Sequence, residues 1–198
     1  MASKVAMCNA ALIKIGANEI TSLTEDSEEA RKCNARFSEV LDSLLESHPW
    51  NFAIERATLA VSAESPNHEW EYKFLLPQRP YCLRVVQEYN TFPYKIEGRY
   101  LFSNYADINI KYVKRVTDMN DLSSMFRECF SLYLGAELAY PLAGSNALRQ
   151  ELLSEFKFAM RQARSKDAQE ETADNFRNGS WFTSRGVKSS RYVVGRQY

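Results

Sequence analysis

The feature that most constrains this chain is a change of apolar period that reverses itself. Up to Pro49 apolar residues recur every three or four positions; between Ile54 and about Tyr112 they recur every two; after Asp118 the longer period returns. A period of 3.6 stacks residues on one helix face, and a period of 2 alternates them across a strand. The pattern therefore predicts helices, then strands, then helices. A length of 198 residues suits one domain with an inserted part. The expected class is α+β: a bundle of about four helices, one small antiparallel sheet inserted at 54–115, and an extended C-terminal tail.

In the first helix, over 3–16, Val5, Cys8, Leu12 and Ile15 share a face and Gly16 supplies the C-cap. The second helix is expected over 26–48. Ala30, Cys33, Phe37, Val40, Leu41, Leu44 and Leu45 form its stripe, Asp26 with Glu29 resembles a capping box, and Pro49 stops it. Trp50 and Phe52 then read as an aromatic anchor where helix meets sheet.

The expected strands are Ile54–Ser62, Tyr81–Tyr89, a hairpin whose arms flank Gly98-Arg99, and an alternating segment from Asp107. In the last, Ile108, Ile110 and Tyr112 face one way and Asp107, Asn109 and Lys111 the other, so one face of the sheet should be wet. A third helix, 122–141, carries Leu122, Phe126, Cys129, Tyr133, Ala136 and Tyr140, with Pro141 ending it. A fourth, 145–174, is capped by Ser145. Its charged end from Arg164 is expected to project from the body or fray.

Few chemistries fit the remaining residues. Cys8, Cys33, Cys82 and Cys129 form no C-x-x-C pair, and His48 and His68 are the only imidazoles, so zinc and redox spacings are missing. Four free thiols suit a reducing compartment. Neither a nucleophile elbow nor a Gly-rich phosphate loop occurs. No cofactor, metal ligand or catalytic residue is assigned. Glu69 and Glu71 flank Trp70 and could serve a glycoside hydrolase, yet acids two apart are ordinary solvated surface. The N-terminus reads as an amphipathic helix, not a signal peptide, and no apolar run is long enough for a membrane span.

The last segment, 176–198, differs from the rest. Phe176, Trp181, Phe182, Tyr192 and Tyr198 alternate with Ser, Gly and Arg. Arg177, Arg185, Lys188, Arg191 and Arg196 give it five positive charges and it has no acid. Lys+Arg and Asp+Glu are each 25, so the net charge of zero is a cancellation between this tail at +5 and the remainder at −5. A disordered end is the default for a terminus, but five aromatics and a Val-Val pair call for burial. Arg and aromatic residues are favoured in interface hot spots. The segment reads as an arm that docks on an acidic neighbour, with a plain tail and a nucleic-acid arm as alternatives.

The order of these elements resembles the tail tubular protein A family of short-tailed phages. The resemblance rests on two N-terminal helices, Trp50-x-Phe52, the strand opening Tyr81-Cys82-Leu83, a small hairpin, an alternating strand and two long helices, and covers about residues 3–185. Met125-Phe126-Arg127-Glu128-Cys129-Phe130 is similar to the family's Pro-Glu-Cys-Phe-Arg stretch, with Arg before Glu and Met in place of Pro. The resemblance implies a structural virion protein, not an enzyme. It implies a head-to-tail adaptor, a homo-oligomeric and typically dodecameric ring between the portal protein and the tail nozzle protein. DNA would pass through its lumen unread. A tail-associated polysaccharide-degrading hydrolase, or an adaptor binding nucleic acid through the basic tail, are the alternatives.

Overall fold

Four serines begin the four helices. Ser3, Ser27, Ser123 and Ser145 each accept a hydrogen bond at the side-chain oxygen from the backbone N–H three residues on: Ala6, Ala30, Phe126 and Leu148. Each satisfies one of the donors that a helix start leaves without an internal partner. The structure, a computed structural model, describes residues 2–64, 66, 69–88 and 93–170, with the side chains of 87 and 88 excepted. The helices are α1 (Lys4–Ile15), α2 (Glu28–Glu46), α3 (Ser124–Ala143) and α4 (Asn146–Gln169). Gly16 and Gly144 follow α1 and α3 at φ of 71° and 65°, the left-handed backbone that glycine adopts without a Cβ clash. No described helix is long and apolar enough to cross a membrane.

Three helix boundaries differ from expectation. Ser27, not Asp26, caps α2, and Asp26 instead pairs with Arg31 at 2.7 Å. Pro141 lies inside α3, which runs on to Ala143. In the last turn the proline removes only one N–H bond, and the turn closes through Gly144, whose N–H reaches the Tyr140 carbonyl at 2.9 Å. The charged end of α4 does not leave the body up to Gln169. Ala163 is buried, the Arg164 guanidinium donates to the Ser47 carbonyl, and Asp167 is tied to the loop after α2. The expected continuation over 171–174 lies outside the described residues.

Helix α3 is the centre of the bundle and packs against α1, α2 and α4. Gly135 permits the closest approach: a Cβ there would lie 3.3 Å from the Ala11 carbonyl oxygen of α1. Trp50, fully buried, seals the end of the bundle. Its indole N–H donates to the Leu44 carbonyl at 3.0 Å, and its ring meets Phe126 edge-on at 5.2 Å and stacks on Phe52 at 5.9 Å. The aromatic anchor expected at this point is therefore present.

The inserted β region is not one sheet but two, each three-stranded and antiparallel. The first has the order β1-β6-β3, from β1 (Ile54–Leu59), β6 (Ile108–Lys114) and β3 (Cys82–Glu88); the second has β2-β5-β4, from β2 (Tyr72–Leu75), β5 (Tyr100–Ser103) and β4 (Tyr94–Glu97). The short strand β2 carried no expectation. Ile108, Ile110 and Tyr112 of β6 do share a buried face, and it packs with Leu59, Phe74, Leu76 and Leu101 into a second core between the sheets. The opposite face changes character along its length. Ile54 and Val113 sit on the helices, while Thr58 and Asn109 line an open groove with Arg56. The wet face was thus correct at one end only.

Strand β3 serves both cores because it carries two bulges. Its register against β6 skips at Leu83 and again at Val86, and these two side chains pack on the bundle core. Cys82 and Val85 turn into the core between the sheets. A bulge inserts one unpaired residue and re-aims the side chains around it.

Candidate assembly surfaces

The ten residues singled out as a docking arm, Phe176, Arg177, Trp181, Phe182, Arg185, Lys188, Arg191, Tyr192, Arg196 and Tyr198, lie outside the described residues, as does His68. The place from which that segment departs is described. Asp167, three residues before Glu170, accepts from the Asn51 backbone N–H at 3.1 Å and lies 3.1 Å from His48 Nε2; the Asn51 side-chain amide donates to its carbonyl at 2.6 Å. His48 therefore serves as a tie between the loop after α2 and the end of α4. Beside it Phe52, Met125, Asp121, Asp167 and Glu170 line a groove of about 130 Å³.

Charge separates the two parts of the body more sharply than the whole-chain figure suggests. Residues 1–53 and 116–175 hold 18 Asp and Glu against 11 Lys and Arg, a net of −7. Residues 54–115 hold 7 against 9, a net of +2. The acidic excess of the body belongs wholly to the helical part.

Apolar exposure is divided the other way. Val61, Leu75, Tyr94, Ile96, Tyr100 and Tyr105 are all exposed and all belong to the second sheet or its approaches; Ile13, Tyr140 and Phe158 are the exposed large apolar residues of the helices. The registers Leu75↔Tyr100↔Glu97 and Lys73↔Phe102↔Lys95 place Leu75, Tyr100 and Phe102 on the outer face of the second sheet with Lys73, Lys95 and Glu97, while Tyr94 and Ile96 lie on its other face. The Lys73 ammonium lies 4.2 Å from the centre of the Tyr100 ring. Clustered exposed apolar surface of this kind marks sites of association.

A network without any sequence signal joins bundle to β region. The Tyr81 ring lies between two guanidinium groups, Arg99 at 4.1 Å and Arg115 at 4.7 Å. Arg115, just past β6, grips the Asp42 carboxylate of α2 through Nε at 2.9 Å and through a second bond from its terminal nitrogen. The Asp42 hydrogen bond raises the affinity of Arg115 for its proton. Arg99 also donates to the Cys82 carbonyl at 2.6 Å and the Pro77 carbonyl at 2.8 Å. The partners in these contacts are 17 to 73 positions apart, so no local pattern could announce them.

All four cysteines are free and buried. Burial pushes the Cys82 and Cys129 thiols up to about 11, and the hydrogen bond with Cys33, together with burial, pushes Cys8 up as well. Thiols of that kind are poor nucleophiles. Glu69 and Glu71 are both exposed, and the Glu71 backbone N–H donates to Asn104. Among the described residues no group of three His, Cys, Asp or Glu side chains could hold a metal ion. No protein-family model and no curated protein matches this chain.

Proposed function

We propose that this chain is the head-to-tail adaptor subunit of a short-tailed phage, a structural component of the virion that works by assembly and not by catalysis. Copies form a ring, in the dodecameric arrangement of the adaptors it resembles, between the portal and the tail nozzle. The observation that carries this reading is the order of elements: a helical pair, an inserted β region and a second helical pair, closed by Trp50-x-Phe52 at the junction.

The division of surfaces supports it. A helical part at −7 offers an acidic complement to a neighbour's arm at +5, so that Arg177, Arg185, Lys188, Arg191 and Arg196 would find partners on an adjacent subunit or on the portal. An acidic body is also a poor ligand for phosphate and would let DNA pass through a lumen without holding it. The β region, with its exposed aromatic face, would meet the tail nozzle. Such a ring is assembled in the host cytoplasm and travels in the phage neck.

Light-scattering mass measurement on a mixture with purified portal tests the reading. A stoichiometric complex is expected, weakened when residues 176–198 are removed while helical content stays constant. A chain that never binds the portal would refute it.

A further inference from the structure

Among the described residues the second sheet ends one strand short of covering its own core. Its β2 edge is occupied: Val61 bridges to Phe74, and the Ser62 N–H donates to the Lys73 carbonyl at 2.7 Å. At the other edge, among the described residues, no strand pairs with the outer side of β4. All four residues of β4 are exposed.

The direction of its backbone groups follows from the register. The Leu76 N–H donates to the Arg99 carbonyl, so Arg99 and every second residue after it bond toward β2. Tyr100 and Phe102 therefore bond toward β4, where they oppose Glu97 and Lys95. That leaves the N–H and C=O groups of Tyr94 and Ile96 aimed outward. Their side chains lie on the inner face, in the rows that run Tyr72–Ser103–Tyr94 and Phe74–Leu101–Ile96. Ile96 is 40% exposed although Phe74 and Leu101 of its row are fully buried. A further strand would satisfy the backbone and complete the core together.

The residues of β4 specify what that strand must be. Opposite Glu97 an attractive neighbour is basic, opposite Ile96 it is apolar, and opposite Lys95 it is acidic. An antiparallel partner presents these in the order basic, apolar, acidic from its N- to its C-terminal side. Lys95-Ile96-Glu97 has that order itself. The C-terminal arm lacks any acid to set against Lys95, so it does not meet the requirement.

We propose that β4 is a self-complementary edge through which two copies of this chain pair antiparallel, about a two-fold axis between the two Ile96 residues. The two Ile96 residues exchange both backbone hydrogen bonds and join the two inner cores in one row. On the outer face each Lys95 lies opposite the partner's Glu97. Within each chain the same two side chains already pair at 2.7 Å, so the dimer gathers four alternating charges. A two-fold contact closes on itself and builds no ring. It is thus a state of the free chain, separate from lateral ring contacts.

Sedimentation equilibrium on the purified full chain over a concentration series tests this. A two-copy species is expected at high concentration. Lys95→Glu and Glu97→Lys, made singly, each set two like-charged pairs face to face and should raise the dissociation constant about 10-fold. The double exchange reverses both signs and should restore pairing. Ile96→Pro removes an outward N–H that no bond among the described residues uses, and should abolish pairing with the far-ultraviolet circular dichroism unchanged. A chain that stays monomeric throughout overturns the proposal. So does an assembly whose mass none of these substitutions alters, or a double exchange that pairs no better than the singles.

Discussion

The helical bundle and the β region solve the problem of burial differently. In the bundle four large aromatics are inside, Phe37, Trp50, Phe126 and Phe130 being buried around α3, and Tyr140 and Phe158 are exposed. In the β region Phe74 and Tyr112 are inside, but Tyr94, Tyr100, Tyr105, Ile96 and Leu75 are exposed. A four-helix arrangement can surround its apolar stripes with its own elements. Two three-stranded sheets have only one face each to share, and an edge strand always leaves a row of backbone groups over. The bundle is therefore complete as a single chain and carries acidic charge on its surface. The β region, among the described residues, keeps an unpaired edge at β4.

The sharpest way to break this contrast is at Trp50. Trp50→Ala removes the seal between bundle and insertion and should cost about 3–5 kcal/mol, read as a lower urea midpoint for the whole chain. Leu101→Ala strikes the other core. About 2–5 kcal/mol is expected, with amide exchange rising in β2, β5 and β4 while α1 and α3 keep their protection. Equal loss of protection in the helices would show that the two cores unfold as one.

Smaller effects sharpen the comparison. Gly135→Val forces a Cβ onto the Ala11 carbonyl and should destabilise by about 1–3 kcal/mol, with the thermal midpoint falling but the β region's spectrum unchanged. Asp42→Ala leaves Arg115 and the Tyr81 stack without their anchor on α2. Because the pair is partly exposed, about 1 kcal/mol is expected, seen in a denaturation curve and reduced at high salt.

The smallest effect concerns acid. Glu25, in the loop before α2, accepts hydrogen bonds from the Thr21 hydroxyl, the Ser27 hydroxyl and the Thr21 and Ser22 backbone N–H groups, which hold its carboxyl down at about 2 from an ordinary 4.5. A depressed value means that the folded state favours the charged form. Its contribution is full above the unfolded value and is lost as pH falls from about 4.5 toward 2. Glu25→Gln should flatten the pH dependence of stability in that window, measured by thermal melts from pH 5 downward.

Much of this was legible in order along the chain, and some was not. The stripe from Ala30 to Leu45 is buried residue for residue, and Ile108, Ile110 and Tyr112 share their buried face. The caps were less legible, because Ser27 and Asp26 are both good capping residues and only the geometry of the Thr21–Ser27 loop chooses between them. Tyr72–Leu75 escaped notice as a strand because four residues give too short a run for a period to stand out. The arm at 176–198 rests on the sequence alone.

The sequence by itself determined the alternation of helical and extended segments, the burial stripes, the free thiols and the separation of charge along the chain, since each depends on neighbours within a few residues or on a count. Tertiary structure decided what depends on distant residues meeting: the splitting of the β region into two sheets, the bulges at Leu83 and Val86 that serve two cores, the tie of His48 to Asp167 and the grip of Arg115 on Asp42. It also decided which edge has no neighbouring strand among the described residues. Whether a strand has a neighbour on its outer side is a property of the assembled sheet, and nothing in Tyr94-Lys95-Ile96-Glu97 alone says which side that will be.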